Sequence, residues 1–287
     1  MLRKLLKYDM KAIFRVWWIL AVATLVACFA GGFGFKIIEA SSRLESSSVA
    51  ASSLVLASGL FVFAGVMSLF ASLIITFILI FNRFYKNFFT DEGYLTFTLP
   101  AKRSELFLSK TLNAIVWTFL QVAVFMIGFS LLTMFITNEN DEFISLFILE
   151  SFGGFFSTLF HEAGAWAIIY CVEGLIFVVF SMLFFVSLVH MCITVSAIIA
   201  KKHKVIAAFG IFYGVNTGLS LLNNLFGITA LSGIWSGLEI ITENASNETN
   251  FMLLALIFLI ICAVMSTVAF LIYSITQRLL DRKLNLA

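Results

Sequence analysis

Long apolar blocks separated by short polar segments dominate the pattern of this chain. About 20 apolar residues in a helix span the hydrocarbon core of a bilayer. Helices are expected because lipid offers backbone amides no partners, and the blocks lack the alternation of a barrel strand. Six blocks of this length occur, at about 14–35, 54–81, 111–136, 166–200, 205–228 and 251–276. The pattern predicts an all-α, polytopic membrane protein with six transmembrane helices in a single transmembrane domain, 1–287.

The composition supports a membrane protein. Hydrophobic residues make up 61% of the chain and charged residues 12%, with a mean hydropathy of +1.06. Ordinary globular domains carry about 25% charged residues. All of the cysteines lie in apolar blocks without a C-x-x-C pair, which predicts neither a zinc site nor a disulfide framework. The composition therefore excludes an ordinary soluble domain.

Basic residues are concentrated on one side of the predicted helices. Of the 18 lysines and arginines, all but Lys36 and Arg43 lie before or at the start of the first block, after the sixth, or in the second or fourth connection. Because cytoplasmic loops carry the excess of Lys and Arg, both termini are predicted to be cytoplasmic. The outer segments hold mostly acids: Glu39, Glu45, Glu139, Asp141, Glu142, Glu150, Glu162, Glu239, Glu243 and Glu248.

Two further segments are predicted not to span. The apolar segment 143–160 is short, and a full crossing would move a basic loop to the outside, so we expect it on the outer surface or as a re-entrant segment. Basic residues recur at helical spacing in 1–13, which fits an amphipathic helix at the interface with anionic lipid headgroups. Charges that only set the orientation of the first span explain the same pattern.

Candidate chemistry inside the blocks is sparse. The His161-Glu162 pair opens like a zinc-protease motif, but Ala165 stands where the second histidine is required, so no metal site is predicted. His190 is expected to be a neutral histidine bonded between helices. Glu173 is the candidate polar residue of a translocation path, because intramembrane carboxylates are costly and often functional. The alternative places Glu173 near the interface, with water in reach.

Small residues repeat at helical spacing in two blocks. Gly210, Gly214 and Gly218 recur every four residues in the fifth block and predict a smooth helix face that packs in the bundle or in a dimer. The second block shows the same spacing at Ala64, Ser68 and Ser72.

The segment 82–110, NRFYKNFFTDEGYLTFTLPAKRSELFLSK, mixes charges with apolar side chains outside the predicted spans. Asp91 and Glu92 suit the start of a short helix, and Pro100, the only proline, suits the first turn of the next one. An exposed apolar cluster of this kind indicates an interface with a partner. The alternative is that these side chains dip into the headgroup region.

Nucleotide hydrolysis is not expected from this chain itself. The sequence has no Gly-Lys dipeptide, so the phosphate-binding loop G-x-x-x-x-G-K-[ST] is absent. Any ATP-driven work therefore requires a partner.

The segment 82–110 resembles the loop after the second span in ABC-2-type ABC transporter permeases of Gram-positive bacteria. In that family a phrase like FYKNL..DEGYL.FTLP is followed by a polar stretch and a leucine-rich LSK entry to the third span. The opening LLKYDMKAIFR is also similar to the family's LLKYE.K...R start. The two matches cover about 45 of the 287 residues.

The resemblance implies a permease subunit of an exporter in a bacterial plasma membrane, where it contacts lipid but no nucleic acid. A second permease copy or related permease and cytoplasmic ABC ATPase subunits are the implied partners. The ATPases would bind ATP and Mg, and no cofactor is implied for this chain. The implied coupling residues, which contact the ATPase, are Asp91, Glu92, Gly93, Tyr94, Leu95, Phe97, Thr98, Leu99 and Pro100.

Two other functions fit parts of the pattern. A membrane interaction protein, such as a regulatory or immunity subunit that does not transport, needs no ATPase. An ion-coupled secondary transporter usually shows several intramembrane charges and helices broken by Gly or Pro in paired positions. The predicted spans contain no proline, which disfavours the second of these functions.

Overall fold

The structure is a computed structural model that describes residues 2–42, 49–90, 93, 102–136, 144–200, 203–222, 224 and 247–283. These residues are almost entirely helical, with no strand in the described ranges. The helices are α1 (Leu2–Ser42), α2 (Val49–Phe89), α3 (Arg103–Thr133), α4 (Ile144–Ala163), α5 (Trp166–Ile199), α6 (Lys204–Leu222) and α7 (Asn247–Lys283).

Six of these helices are long and apolar enough to cross a membrane, namely α1, α2, α3, α5, α6 and α7. The prediction of an all-α, multi-pass membrane protein with six apolar helices is therefore confirmed. Several helices are longer than a bilayer requires. The 41 residues of α1 extend about 60 Å at 1.5 Å per residue, about twice the hydrocarbon thickness.

The extra length of these helices covers segments that the sequence pattern assigns to separate elements. Helix α1 is continuous from Leu2, so the predicted interfacial segment 1–13 and the first span share one helix. Helices α2 and α3 extend into the predicted loop, up to Phe89 and from Arg103. No proline or glycine lies in 82–89 or 103–110 to end a helix. Likewise α4 is one helix across 153–154 and includes most of segment 143–160.

The chain divides into two compact units. The first unit combines Met1–Arg83 with Leu108–Ser157, and the second combines Phe84–Phe107 with Thr158–Ala287. In the second unit α5 packs against both α6 and α7. Ring contacts join these helices, at 5.7 Å between the ring centres of Phe177 and Phe258. Helix α4 ends at Gly164, whose φ of +54° is the left-handed conformation that commonly closes helices.

Polar and small side chains make up much of the buried face of α2 in the first unit. In α2 the large apolar residues Leu56, Phe63 and Ile74 are exposed. The buried positions of the same helix in this unit are Ser58, Gly65, Leu69, Ser72, Thr76 and Ile80. Because lipid tails solvate apolar side chains as well as a protein interior does, helix association depends on close packing and interhelical hydrogen bonds.

Glycines allow α1, α2 and α3 to approach closely. A Cβ on Gly65 would lie 2.7 Å from the Leu132 side chain and 3.1 Å from the Ala27 carbonyl oxygen. A Cβ on Gly31 would lie 3.1 Å from the Phe61 carbonyl oxygen. Such distances leave no room for a larger side chain without movement of the helices, so these two positions fix the crossing.

Candidate functional site

Of the predicted coupling residues, the structure describes only Gly93. The Gly93 amide donates a 2.7 Å hydrogen bond to the Thr90 carbonyl, and a Cβ here would lie 3.0 Å from the Phe88 carbonyl oxygen. This buried position therefore favours glycine, because any side chain would crowd the end of α2. The other predicted coupling residues lie outside the described residues: Asp91, Glu92, Tyr94, Leu95, Phe97, Thr98, Leu99 and Pro100.

An aromatic cluster in the second unit, formed by Phe84, Phe107, His190 and Tyr273, joins the helix ends beside this segment to α5 and α7. The ring of Phe84 is stacked on that of His190, with 3.9 Å between ring centres. Phe107 lies 4.7 Å from Tyr273 by the same measure. Phe84 in α2, Phe107 in α3 and His190 in α5 are all buried. His190 is thus buried among helices, and the expected hydrogen bond from its ring to a neighbouring helix stays a prediction.

The end of α3 has a further contact with α7. Arg103, the first residue of α3, donates a 3.1 Å hydrogen bond to the backbone carbonyl of Asp281. A cationic side chain beside the last carbonyls of a helix also interacts favourably with the negative end of the helix dipole. The described ends of the predicted coupling loop are thus held by both ring and polar contacts.

A buried charge cluster around Asp9, formed with Arg83, Ser109 and Lys110, ties α1 to α2 and α3 in the first unit. The Lys110 ammonium lies 2.6 Å from each Asp9 carboxylate oxygen. Arg83 donates to one oxygen at 3.4 Å, and the Ser109 hydroxyl donates to the other at 3.5 Å. Asp9 is 5% exposed and Lys110 is 8% exposed. A pair this buried is sensitive to loss of one partner, because the other charge would stay desolvated.

The Asp9 cluster is not predicted from the sequence. In the sequence pattern, Arg83 and Lys110 are only two of the basic charges that set the orientation in the membrane. The available signal was that Asp9 is the only acidic residue before Glu39, within a strongly basic segment. An isolated acid among basic residues indicates a specific partner, but the sequence does not identify that partner.

Gln121 in α3 is the centre of a second polar contact among the same helices. Its amide oxygen accepts hydrogen bonds from the Trp17 indole and from the Thr76 hydroxyl, both at 2.9 Å. Its amide nitrogen donates to the Ser72 hydroxyl at 3.0 Å. The Gln121 side chain is therefore hydrogen-bonded at both ends while 1% exposed, which suits a structural junction within lipid.

The candidate path residue Glu173 lies in the N-terminal part of α5 in the second unit. It is 6% exposed, and its Oε2 atom has no hydrogen-bond partner among the described residues. The Cys262 thiol of α7 donates to the Glu173 backbone carbonyl at 3.7 Å. His190 is 17 positions further along the same helix, about 25 Å away at 1.5 Å per residue. The structure therefore does not bring the two together.

The predicted packing glycines of α6 have open surroundings. A Cβ added at Gly210, Gly214 or Gly218 would meet no atom within 4 Å in the described part of the chain. Packing of this face against a second copy or a partner therefore stays a prediction. The close interhelical glycine contacts that the described residues contain lie elsewhere, on α1, α2 and α3.

Comparison with known proteins finds no matching family model, no matching curated protein and no matching solved structure. Within the described ranges, no group of three or more His, Cys, Asp or Glu residues is arranged to hold a metal ion. His161 and Glu162 are both exposed at the end of α4. The function of this chain is therefore inferred from its own residues.

Proposed function

We propose that this chain is the membrane-spanning permease subunit of an ABC-2-type ATP-binding cassette exporter in a bacterial plasma membrane. The observation that carries the proposal is segment 82–110, whose residues resemble the family's coupling loop. The six long apolar helices supply the membrane domain that such a subunit needs. Both termini and segment 82–110 are cytoplasmic in this proposal, because the basic residues are concentrated there.

The proposal divides labour between subunits. With no Gly-Lys dipeptide, this chain has no phosphate-binding loop, and a separate cytoplasmic ATPase binds ATP and Mg. A second copy of the chain, or a related permease, completes the membrane assembly. A path through the membrane then forms between helices that move relative to one another during the ATPase cycle.

The contacts at the two ends of segment 82–110 indicate how movement of the segment reaches the spans. The ends of α2 and α3 carry Phe84 and Phe107, which pack against His190 of α5 and Tyr273 of α7. Packed aromatic rings resist compression, so a displacement of these ends moves their partners with them. In the proposed mechanism, ATP binding displaces segment 82–110, and the aromatic cluster passes the displacement to α5 and α7.

Introduction of negative charge into the coupling segment tests the proposal. Tyr94→Asp plus Phe97→Asp should abolish co-purification of a cytoplasmic ATPase, because two carboxylates replace the apolar contact residues. The matched control, Tyr94→Phe plus Phe97→Tyr, keeps size and aromaticity and should retain the ATPase. Proteins bound to the purified chain are identified by mass spectrometry, and ATP hydrolysis of the complex is measured.

Two outcomes contradict the proposal. Retention of both the ATPase and its activity by the Asp variant would remove the coupling role of Tyr94 and Phe97. Absence of any ATPase from the wild-type preparation would favour a regulatory or immunity subunit that does not transport.

A further inference from the structure

Glu173 presents an unpaired hydrogen-bond acceptor inside the pair of helices α5 and α7. The residue is 6% exposed and its Oε2 atom has no hydrogen-bond partner in the described ranges. A desolvated carboxylate without a partner is costly, and in a membrane helix it is a candidate functional site. Asn250, near the start of α7, has a second buried acceptor of this kind, its side-chain oxygen Oδ1.

The donors closest in the fold are engaged elsewhere. The Tyr170 hydroxyl, one turn before Glu173 on α5, donates a 2.7 Å hydrogen bond to the Phe251 carbonyl, next to Asn250. The Cys262 thiol donates to the Glu173 backbone carbonyl rather than to its side chain. Neither of these donors is bonded to the Oε2 atom of Glu173, so a ligand for that atom should be a donor.

The surroundings select a positively charged donor with an apolar body. Ile169, Val172 and Ile176, which flank Glu173 along α5, are 41%, 50% and 42% exposed. In the proposed topology this end of α5 is on the outer side, where acidic residues far outnumber Lys36 and Arg43. A surface field of this sign raises the local concentration of cations.

We propose that Glu173 binds the primary ammonium group of an amphiphile, with the apolar body along Val172 and Ile176. An ammonium group donates three hydrogen bonds and carries one charge, which one carboxylate neutralises. The Asn250 side chain supplies a further acceptor on α7. Such an amine occurs on a phospholipid headgroup and on soluble amphipathic amines. The site deepens the proposed function by naming a substrate class, and it rests on that function for transport only.

Binding is tested on the full-length chain alone, in nanodiscs of phosphatidylcholine and phosphatidylglycerol. Dodecylammonium is the probe, and dodecyltrimethylammonium is the control that keeps the charge and lacks the N–H donors. Wild type should bind dodecylammonium more tightly than the control. Glu173→Gln should weaken dodecylammonium binding about tenfold or more, as expected for loss of a charge-assisted hydrogen bond. The exposed carboxylate variant Glu162→Gln should bind like wild type.

The outcomes separate the possibilities. Equal wild-type affinity for the two probes, or equal losses in Glu173→Gln and Glu162→Gln, would overturn the site. The comparison of the two probes uses wild type alone. It can therefore contradict the proposal even if Glu173→Gln folds poorly. With phosphatidylethanolamine added, a weaker apparent affinity of wild type alone identifies the lipid headgroup as ligand, and an unchanged affinity identifies a soluble amine. Because no ATPase is present, failure here leaves the co-purification result for segment 82–110 intact.

Discussion

Asp9 is the residue whose meaning depends most on its neighbours in space. In the sequence it is one acid within a basic N-terminal segment, and in the structure it is the acceptor shared by Lys110, Arg83 and Ser109. Gln121 is similar, since its amide oxygen and its amide nitrogen both form hydrogen bonds that join three helices. In lipid such groups determine which helices associate, because apolar contacts alone are as favourable with lipid as with protein.

Removal of one charge from the Asp9 pair should destabilise the protein, and removal of both should restore most of the loss. Asp9→Asn leaves the buried Lys110 ammonium without its carboxylate, and Lys110→Met leaves Asp9 with only the longer contacts to Arg83 and Ser109. Loss of one partner costs about 3–5 kcal/mol in comparable buried pairs. The double variant removes both charges. Unfolding midpoints in detergent, analysed as a double-mutant cycle, measure the coupling.

The exposed Lys86→Met variant serves as the control for loss of one positive charge near the end of α2. If Lys110→Met unfolds at the same temperature as Lys86→Met, the Asp9 pair does not hold α1 in place.

Among the elements, helix lengths follow from local sequence, while the faces that pack do not. Apolar windows locate α1, α2, α3, α5, α6 and α7 because each residue contributes to membrane insertion separately. The exact ends differ: α2 and α3 extend into segment 82–110, where no breaker residue stops them. Glycine spacing predicts a packing face on α6, whereas the close interhelical glycine contacts among the described residues lie on α1, α2 and α3.

The same substitution at Gly65 and at Gly210 should distinguish a glycine in a close helix contact from a glycine with open surroundings. Gly65→Leu places atoms where Leu132 and the Ala27 carbonyl already lie, so α1, α2 and α3 must move apart, at a cost on the order of 1–3 kcal/mol. A Cβ at Gly210 meets nothing within 4 Å in the described chain, so Gly210→Leu should not lower the unfolding midpoint of the isolated chain. Thermal unfolding in detergent compares the two.

The same pair of variants reports on association. If the face of Gly210, Gly214 and Gly218 packs against a second copy, Gly210→Leu lowers the dimer fraction on size-exclusion chromatography while Gly65→Leu lowers stability. An equal loss of stability in both variants would contradict the open surroundings of Gly210.

For the whole molecule, the charge distribution predicts one orientation in the membrane. Single cysteines at Tyr8 and Lys86, both exposed, should react with an impermeant maleimide only after cells are permeabilised. A cysteine at exposed Glu162 should react in intact cells. Labelling of the three variants in intact and permeabilised cells, on a background with the native cysteines replaced, checks the topology. Reaction of Tyr8→Cys in intact cells would place the N-terminus outside.

By itself, the sequence determined that this protein is all-α, that six helices are apolar enough to cross a membrane, and that basic residues are concentrated at one set of helix ends. These properties depend on windows of neighbouring residues, in which each side chain contributes on its own. Only the tertiary structure decided that Asp9 meets Lys110, that Gln121 joins three helices, and that Phe84 stacks on His190. The physical reason is that partners for polar and ring groups come from distant parts of the chain, and apolar periodicity in lipid does not record which face a helix buries.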